Sequence, residues 1–255
     1  MLPRYPVYLF LLCGIWAFVS GCAKSQRALT PDEYLRLGDT QSSRNRQQKA
    51  REYYQELLDK FPESHHRALA QFNIAESLYR EKAYLEARFE YEKFLELYPA
   101  HGLAGQAQYQ IGLCHVQQMR RHDRDQRHTL AALQAFRTLR RQYPQNPLIP
   151  DTEDHIRQLR QHLAAHEMSV ARFYYHKRSY HAAIGRLLNL VRTYPQAPNL
   201  DEALFLLGTS YREEENFVKA QQVFRTLVDR FPTSSYLSRS RAQLRRLPDT
   251  GIVLQ

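Results

Sequence analysis

The sequence predicts an all-α protein, an α-solenoid of five helical hairpins, and three recurring features lead to that prediction. An aromatic residue followed by proline occurs five times, and an alanine stands twelve residues before each of these prolines. A large apolar side chain stands eight residues before each proline, and in four cases a small residue stands 24 before it. Because a single hairpin cannot bury its apolar face alone, such recurrence indicates hairpins stacked into a solenoid.

The positions that carry this pattern define the register of every unit. The aromatic–proline pairs are Phe61-Pro62, Tyr98-Pro99, Tyr143-Pro144, Tyr194-Pro195 and Phe231-Pro232. The alanines are Ala50, Ala87, Ala132, Ala183 and Ala220, and the large apolar residues are Tyr54, Tyr91, Phe136, Leu187 and Phe224. The pattern resembles the tetratricopeptide repeat. We therefore expect proline to end each second helix, small residues where helices cross, and the large apolar residue between consecutive hairpins.

The first element, residues 1–21, is predicted to be a cleaved lipoprotein signal peptide. Arg4 precedes an apolar run from Val7 to Phe18, which is shorter than the roughly 20 residues that span a bilayer. The run ends in Val19-Ser20-Gly21-Cys22, which resembles a bacterial lipobox, so we expect lipidation of Cys22 and a lipidated linker over 22–30. With no Asp after Cys22, the resemblance to lipoproteins implies the outer membrane, with the chain on its periplasmic face.

Repeats 1–3 are predicted over residues 31–148, with a charged loop inserted at about 120–128. Position 120, where a small residue is expected, is arginine, and Gly112 fits the pattern instead. Repeats 4 and 5 are predicted over 149–246, and the first helix of repeat 4 extends from Asp151 to about Lys177. Residues 247–255 are predicted to be a tail that is disordered or becomes ordered only on a partner.

Composition directs the function toward partner binding. The net charge of +10 favours acidic proteins or anionic lipid headgroups, and the signal peptide argues against a nucleic-acid partner. The densest basic cluster is interpreted either as a solvated face or as a docking surface for an acidic partner or lipid headgroups. Its members are Arg120, Arg121, Arg124, Arg127, Arg137, Arg140 and Arg141.

The sequence contains no pattern typical of a catalytic, cofactor or metal site. His162 and His166 are four apart on one predicted helix and could share a metal, but no third ligand stands at a useful spacing, which favours a solvated face. Neither a phosphate-binding glycine loop nor a nucleophile elbow occurs. Cys114 is expected to be a small buried apolar residue. We therefore predict no enzyme, no cofactor and no metal.

A groove is predicted on the face formed by the first helices of repeats 1 and 2. Its expected lining is Leu35, Leu69, Phe72, Glu76 and Tyr79. Exposed aromatic residues in such a groove suit an extended or helical peptide, although the same aromatics could simply be core. Asn73 alone resembles part of the clamp with which some tetratricopeptide proteins hold a C-terminal carboxylate, so that mode is not predicted.

A lipobox followed by five such repeats resembles the BamD family of outer-membrane assembly lipoproteins. Three segments carry the resemblance. The chain departs from the family at His166, where the family usually has tyrosine, and in its arginine-rich insert. The segments are Asp123-Arg124-Asp125-Gln126 in the insert, residues 166–174 (His-Glu-Met-Ser-Val-Ala-Arg-Phe-Tyr), and Ala182-Ala183-Ile184-Gly185-Arg186.

The resemblance implies a non-enzymatic scaffold that helps fold β-barrel proteins into the outer membrane. It implies that Arg186 contacts a POTRA domain of the barrel subunit, that the groove receives unfolded outer-membrane proteins, and that accessory assembly lipoproteins are further partners. Asp123, Arg124 and Asp125 are the other expected partner-binding residues. The main alternative is a repeat scaffold lipoprotein for secretin or pilus assembly or for the Tol-Pal system. A peptidoglycan-binding or peptidoglycan-cleaving protein is a more distant one.

Overall fold

In a computed structural model of the chain, residues 27–248 are described and form eleven α-helices with no strand among them. The helices are α1 Pro31–Ser43, α2 Gln47–Lys60, α3 Arg67–Arg80, α4 Tyr84–Leu97, α5 Ala104–Gln117, α6 Arg127–Gln142, α7 Ile149–His176, α8 Tyr180–Thr193, α9 Leu200–Glu213, α10 Phe217–Arg230 and α11 Leu237–Arg246. Successive pairs from α1/α2 to α9/α10 form five hairpins, and each hairpin packs on the next. The predicted five-hairpin solenoid is confirmed. The predicted signal peptide and Cys22 lie outside the described residues.

Each second helix ends at the aromatic residue of its aromatic–proline pair. These five residues have φ between −127° and −135° and ψ between 52° and 72°, outside the α region. The proline ring disfavours the α conformation of the preceding residue, which is why all five helices end at the same repeat position. The expectation that proline ends the second helix is confirmed.

The small residue of the first helix lies directly under the large ring of the same hairpin. A Cβ added to Gly38 would lie 2.3 Å from the Tyr54 ring, and one added to Gly208 would lie 2.7 Å from the Phe224 ring. Gly112 takes the same place under Phe136, at 2.6 Å, as its spacing predicted. The same rings belong to apolar clusters with the first helix of the next hairpin, as Tyr54 does with Ala70 and Ile74. They therefore fill the space between hairpins, as expected, and also cover the glycine of their own hairpin.

A left-handed residue closes the turn inside four of the five hairpins. Asn45, Lys82, Arg178 and Glu215 have φ between 57° and 63°, and each stands seventeen residues before the proline of its unit. The backbone N–H groups of this residue and of the next one donate hydrogen bonds to carbonyl oxygens of the first helix. For example, the Arg46 N–H donates to the Gln41 carbonyl at 2.9 Å. This conformation caps the helix and reverses the chain, although none of the four residues is glycine.

The third hairpin replaces this turn by the insert, which occupies residues 118–126 because α6 already begins at Arg127. The buried Gln126 side chain donates hydrogen bonds of 2.9 Å to the carbonyl oxygens of Arg121 and Arg124. It also accepts a hydrogen bond from the Thr129 hydroxyl at 2.8 Å. One glutamine therefore holds the loop together, while the charged side chains around it are exposed.

The last helix, α11, covers the end of the stack. Leu247, which follows it, is 9% exposed and packs into the apolar cluster of hairpins 4 and 5. The Gln221 side chain donates a hydrogen bond of 2.9 Å to the carbonyl of Pro248. The tail predicted over 247–255 therefore begins with two residues that contact the fold, and 249–255 lie outside the described residues. Within 27–248, every helix is too short or too polar to cross a membrane.

Candidate partner-binding surfaces

The first helices of hairpins 1–3 form a groove of about 360 Å³, which we call the first-helix groove. α1, α3 and α5 supply most of its lining, because first helices share one face of the stack. The lining residues are Asp39, Ser42, Ser43, Tyr54, Phe72, Asn73, Glu76, Arg80 and Gln106. The groove is therefore polar and carries two carboxylates and one guanidinium.

A tyrosine–carboxylate pair occurs twice in the groove wall. The Tyr54 hydroxyl donates a hydrogen bond of 2.7 Å to Asp39, which also accepts one of 3.1 Å from Asn73. In the next hairpin the Tyr91 hydroxyl donates to Glu76 at 2.5 Å. Burial, together with the adjacent carboxylate, raises the pKa of Tyr54 and of Tyr91 above the usual value for tyrosine. Both phenols therefore remain protonated donors at neutral pH.

Only two of the five predicted groove residues line this cavity. Phe72 is 4% exposed and packs edge-on against the Tyr91 and Phe94 rings, so the expectation of an exposed anchor was wrong. Glu76 lies at the wall, with its carboxylate already bound by Tyr91 and by Gln110 at 2.8 Å. Leu35, Leu69 and Tyr79 are half-buried and lie outside the cavity lining.

Seven groove residues were not predicted, and three of them are Asp39, Arg80 and Gln106. The repeat register contained a signal for the first of them, since Asp39 and Glu76 both stand 23 residues before the proline of their unit. No such signal predicts Arg80, because its hydrogen bond of 2.9 Å to Ser42 joins two separate hairpins.

Arg186 lies on α8 and is paired with Glu167 of α7 at 3.4 Å. The Glu167 side chain is 13% exposed, whereas 46% of the Arg186 side chain remains open to solvent. Nearby on α7, Arg172 forms a two-pronged contact with Glu202 of α9, at 2.8 and 2.5 Å, which raises the arginine's pKa. Ion pairs thus join α7 to α8 and to α9.

The histidines considered for a metal attach the insert to α7. His162 Nε2 lies 3.0 Å from the Arg120 carbonyl oxygen, and His166 Nδ1 lies 2.6 Å from that of His122. Because carbonyl oxygens only accept, the two nitrogens in these contacts carry protons. Both side chains are partly buried against the insert, so this face is less solvated than expected. Within 27–248 no cluster of His, Cys, Asp and Glu is arranged to hold a metal.

The predicted partner-binding residues of the insert are exposed. Asp123 pairs with Arg121 at 3.4 Å, and Asp125 accepts hydrogen bonds from the backbone and side chain of Arg127. The Arg127 guanidinium and N–H hold the pKa of Asp125 below its usual value. Arg124 is exposed. These charges form a ridge of alternating sign rather than a purely basic patch.

The fold and these surfaces define a helical-repeat binding protein of the tetratricopeptide class, and residues 202–234 match the tetratricopeptide repeat directly. Residues 27–214 match the family described as outer membrane lipoprotein, YfiO. The chain is 28% identical over 195 residues to outer membrane protein assembly factor BamD of Neisseria gonorrhoeae, covering 72% of this chain and 73% of that protein. It is 29% identical over 202 residues to BamD of Caulobacter vibrioides, covering 76% of this chain and 66% of that protein. The chain belongs to the BamD family of outer membrane lipoproteins.

Proposed function

We propose that this chain is a non-enzymatic scaffold lipoprotein that helps assemble β-barrel proteins in the outer membrane. The observation that carries the proposal is the family match, which spans both the first-helix groove and Arg186. In this role a lipid on Cys22 anchors the chain at the outer membrane, on the periplasmic face. The groove and the α7–α8 surface then bind two different proteins at a fixed separation, which raises the effective concentration of one near the other.

Arg186 is proposed to bind a POTRA domain of the barrel subunit. Glu167 binds one edge of the Arg186 guanidinium and holds it at the surface. The rest of the guanidinium is half-exposed and is free to bind a carboxylate of a partner. A residue fixed in this way loses little side-chain entropy when a partner binds. Asp123, Arg124 and Asp125, which are exposed on the insert, are proposed to contact an accessory assembly lipoprotein.

An affinity pulldown from detergent-solubilised envelopes tests the docking, with wild type compared with Arg186→Glu. We expect wild type to recover a POTRA-containing barrel protein and the variant to lose it. Because Arg186→Glu also places two carboxylates together, the double variant Arg186→Glu with Glu167→Arg restores the internal ion pair with its charges exchanged. If the double variant recovers the barrel protein, Arg186 acts only within the fold. Recovery of a secretin or of Tol-Pal components by wild type would replace the assembly proposal.

The first-helix groove is proposed to receive the unfolded barrel protein. Asp39 and Glu76 each use one carboxylate oxygen for their hydrogen bonds within residues 27–248. This favours a ligand that donates hydrogen bonds to the other oxygen, such as the N–H groups of an extended segment. Gln106→Trp, which fills the groove, should abolish binding of a peptide from the C-terminus of an outer-membrane barrel protein. Gln134→Trp, on the exposed face of α6, is the control and should bind the peptide normally. Equal binding by both variants would place the substrate elsewhere.

A further inference from the structure

A second cavity lies where hairpin 3 meets hairpin 4, and two of its lining residues, Arg137 and Arg140, belong to the basic cluster noted in the sequence. It has a volume of about 490 Å³ and lies between the second half of α6, the first half of α7 and the turn after α8. We call it the arginine cleft. The residues used here are Arg137, Arg140, Ile156, Arg157, Arg160 and Tyr194.

The charge in the arginine cleft is not balanced by its own acidic residues. Four arginines line it, against the single lining carboxylate of Glu153, and one of the four, Arg157, is paired with Asp154 beside the cleft. Arg140 contacts Glu153 at 3.1 Å, and both side chains are about half exposed to solvent. Within residues 27–248, the Arg137 side chain forms no hydrogen bond or ion pair, and it is exposed. At least one guanidinium is therefore available, with all its donors, to an incoming anion.

The floor of the cleft is apolar and rigid. Arg160 donates a hydrogen bond of 2.7 Å to the Thr193 carbonyl and lies over the Tyr194 ring, 5.6 Å from its centre. Ile156 is 6% exposed and belongs to the core of hairpins 3 and 4. The cleft thus has an aromatic and aliphatic floor with exposed arginines at the rim, which is the anatomy of a protein-binding hot spot.

We infer that the arginine cleft binds an acidic peptide segment of a protein partner, with two or more carboxylates and one aromatic or aliphatic side chain. Guanidinium groups bind carboxylates through paired hydrogen bonds, which suits the free donors of the rim. The apolar floor then accepts a side chain that a phosphate-bearing lipid headgroup does not provide. The volume of about 490 Å³ accommodates several residues of such a segment.

The test measures binding of a fluorescein-labelled peptide, acetyl-Glu-Asp-Tyr-Glu-Asp-amide, to the full chain in non-ionic detergent by fluorescence anisotropy. Arg137→Gln with Arg140→Gln should weaken binding by about tenfold or more, and replacing the peptide tyrosine by alanine should also weaken it. The matched control is Arg141→Gln with Arg225→Gln, which removes the same charge from exposed residues outside the cleft and should bind like wild type. Thermal melts confirm that both double variants fold.

Three outcomes would overturn the inference. Equal weakening in both double variants would show that only overall charge attracts the peptide. No weakening in either would show that the peptide binds elsewhere. Co-sedimentation with phosphatidylglycerol vesicles that depends on Arg137 and Arg140, without such dependence for the peptide, would assign the cleft to a membrane surface instead.

Discussion

The hydroxyl of Tyr91 donates a hydrogen bond of 2.5 Å to Glu76, fifteen residues earlier in the same hairpin. Tyr54 and Asp39 repeat this relationship one hairpin before, also fifteen residues apart. In each case a fully or almost fully buried ring donates to a carboxylate that lines the first-helix groove. The same side chain therefore fills the core and fixes a carboxylate at the binding surface.

Tyr91→Phe should lower the free energy of unfolding by about 1.5–3 kcal/mol, because it removes a hydrogen bond to a charged acceptor while keeping the ring. Urea unfolding followed by circular dichroism measures the change. Tyr143→Phe is the control, since its hydroxyl makes only an exposed contact of 3.3 Å with the Pro99 carbonyl. In a double-mutant cycle with Glu76→Gln the two changes should not be additive. Strict additivity would show that the pair contributes nothing.

The glycine under the Phe224 ring gives a second prediction. Gly208→Ala should destabilise the chain by about 1–3 kcal/mol, because its Cβ would lie 2.7 Å from the Phe224 ring inside a filled hairpin. Gly185→Ala, also within a helix, has no atom within 4 Å of the added carbon and should stabilise by about 0.5–1 kcal/mol. Thermal melts of the two variants should shift in opposite directions. Stabilisation of both variants would mean that helix propensity, not packing, decides the outcome at both positions.

The number of hairpins and the ends of the second helices could be predicted from the sequence, because both depend on local rules that recur in register. The spacing also identified Gly112 correctly, despite the insert that displaces it. The contacts of the insert could not be predicted, since they join His162 and His166 to residues 42 and 44 positions away. For the groove, periodicity identified the face but not the depth of each side chain, and so Phe72 was misplaced.

The left-handed turn residues give a third prediction. Glu215 has φ of 57°, a conformation that costs a side-chain-bearing residue about 1 kcal/mol or more, whereas glycine adopts it freely. Glu215→Gly should therefore raise stability by about 0.5–1 kcal/mol. The neighbouring Glu214 has φ of −87°, so Glu214→Gly should lower stability by a similar amount. The difference between the two melting temperatures tests the turn geometry without any change in net charge between the variants.

The attachment of the insert to α7 gives a fourth prediction. Replacing His162 and His166 by alanine should remove both contacts to the insert backbone, so amide hydrogens of residues 120–126 should exchange faster with deuterium. His176→Ala, at the exposed end of the same helix, is the control and should leave this exchange unchanged. Unchanged exchange in the double variant would show that Gln126 alone holds the loop.

His115 gives the chain a pH dependence of stability. Burial, with Arg88 and His128 nearby, lowers the pKa of His115 to about 4, and its Nδ1 lies 3.3 Å from that of His128. In the unfolded chain His115 is protonated below a pH of about 6.5. Between pH values of about 6.5 and 4, the unfolded chain therefore binds more protons than the folded chain. Stability should therefore fall as pH falls through this window.

Urea midpoints measured across that window for wild type and His115→Gln test the assignment. The variant cannot titrate at this position, so its midpoint should fall less steeply with decreasing pH than that of wild type. His181→Gln, which removes an exposed histidine, should follow the wild-type slope. If His115→Gln also follows it, then His115 accepts a proton without disturbing the contact between α5 and α6, and the acid sensitivity of the fold arises elsewhere.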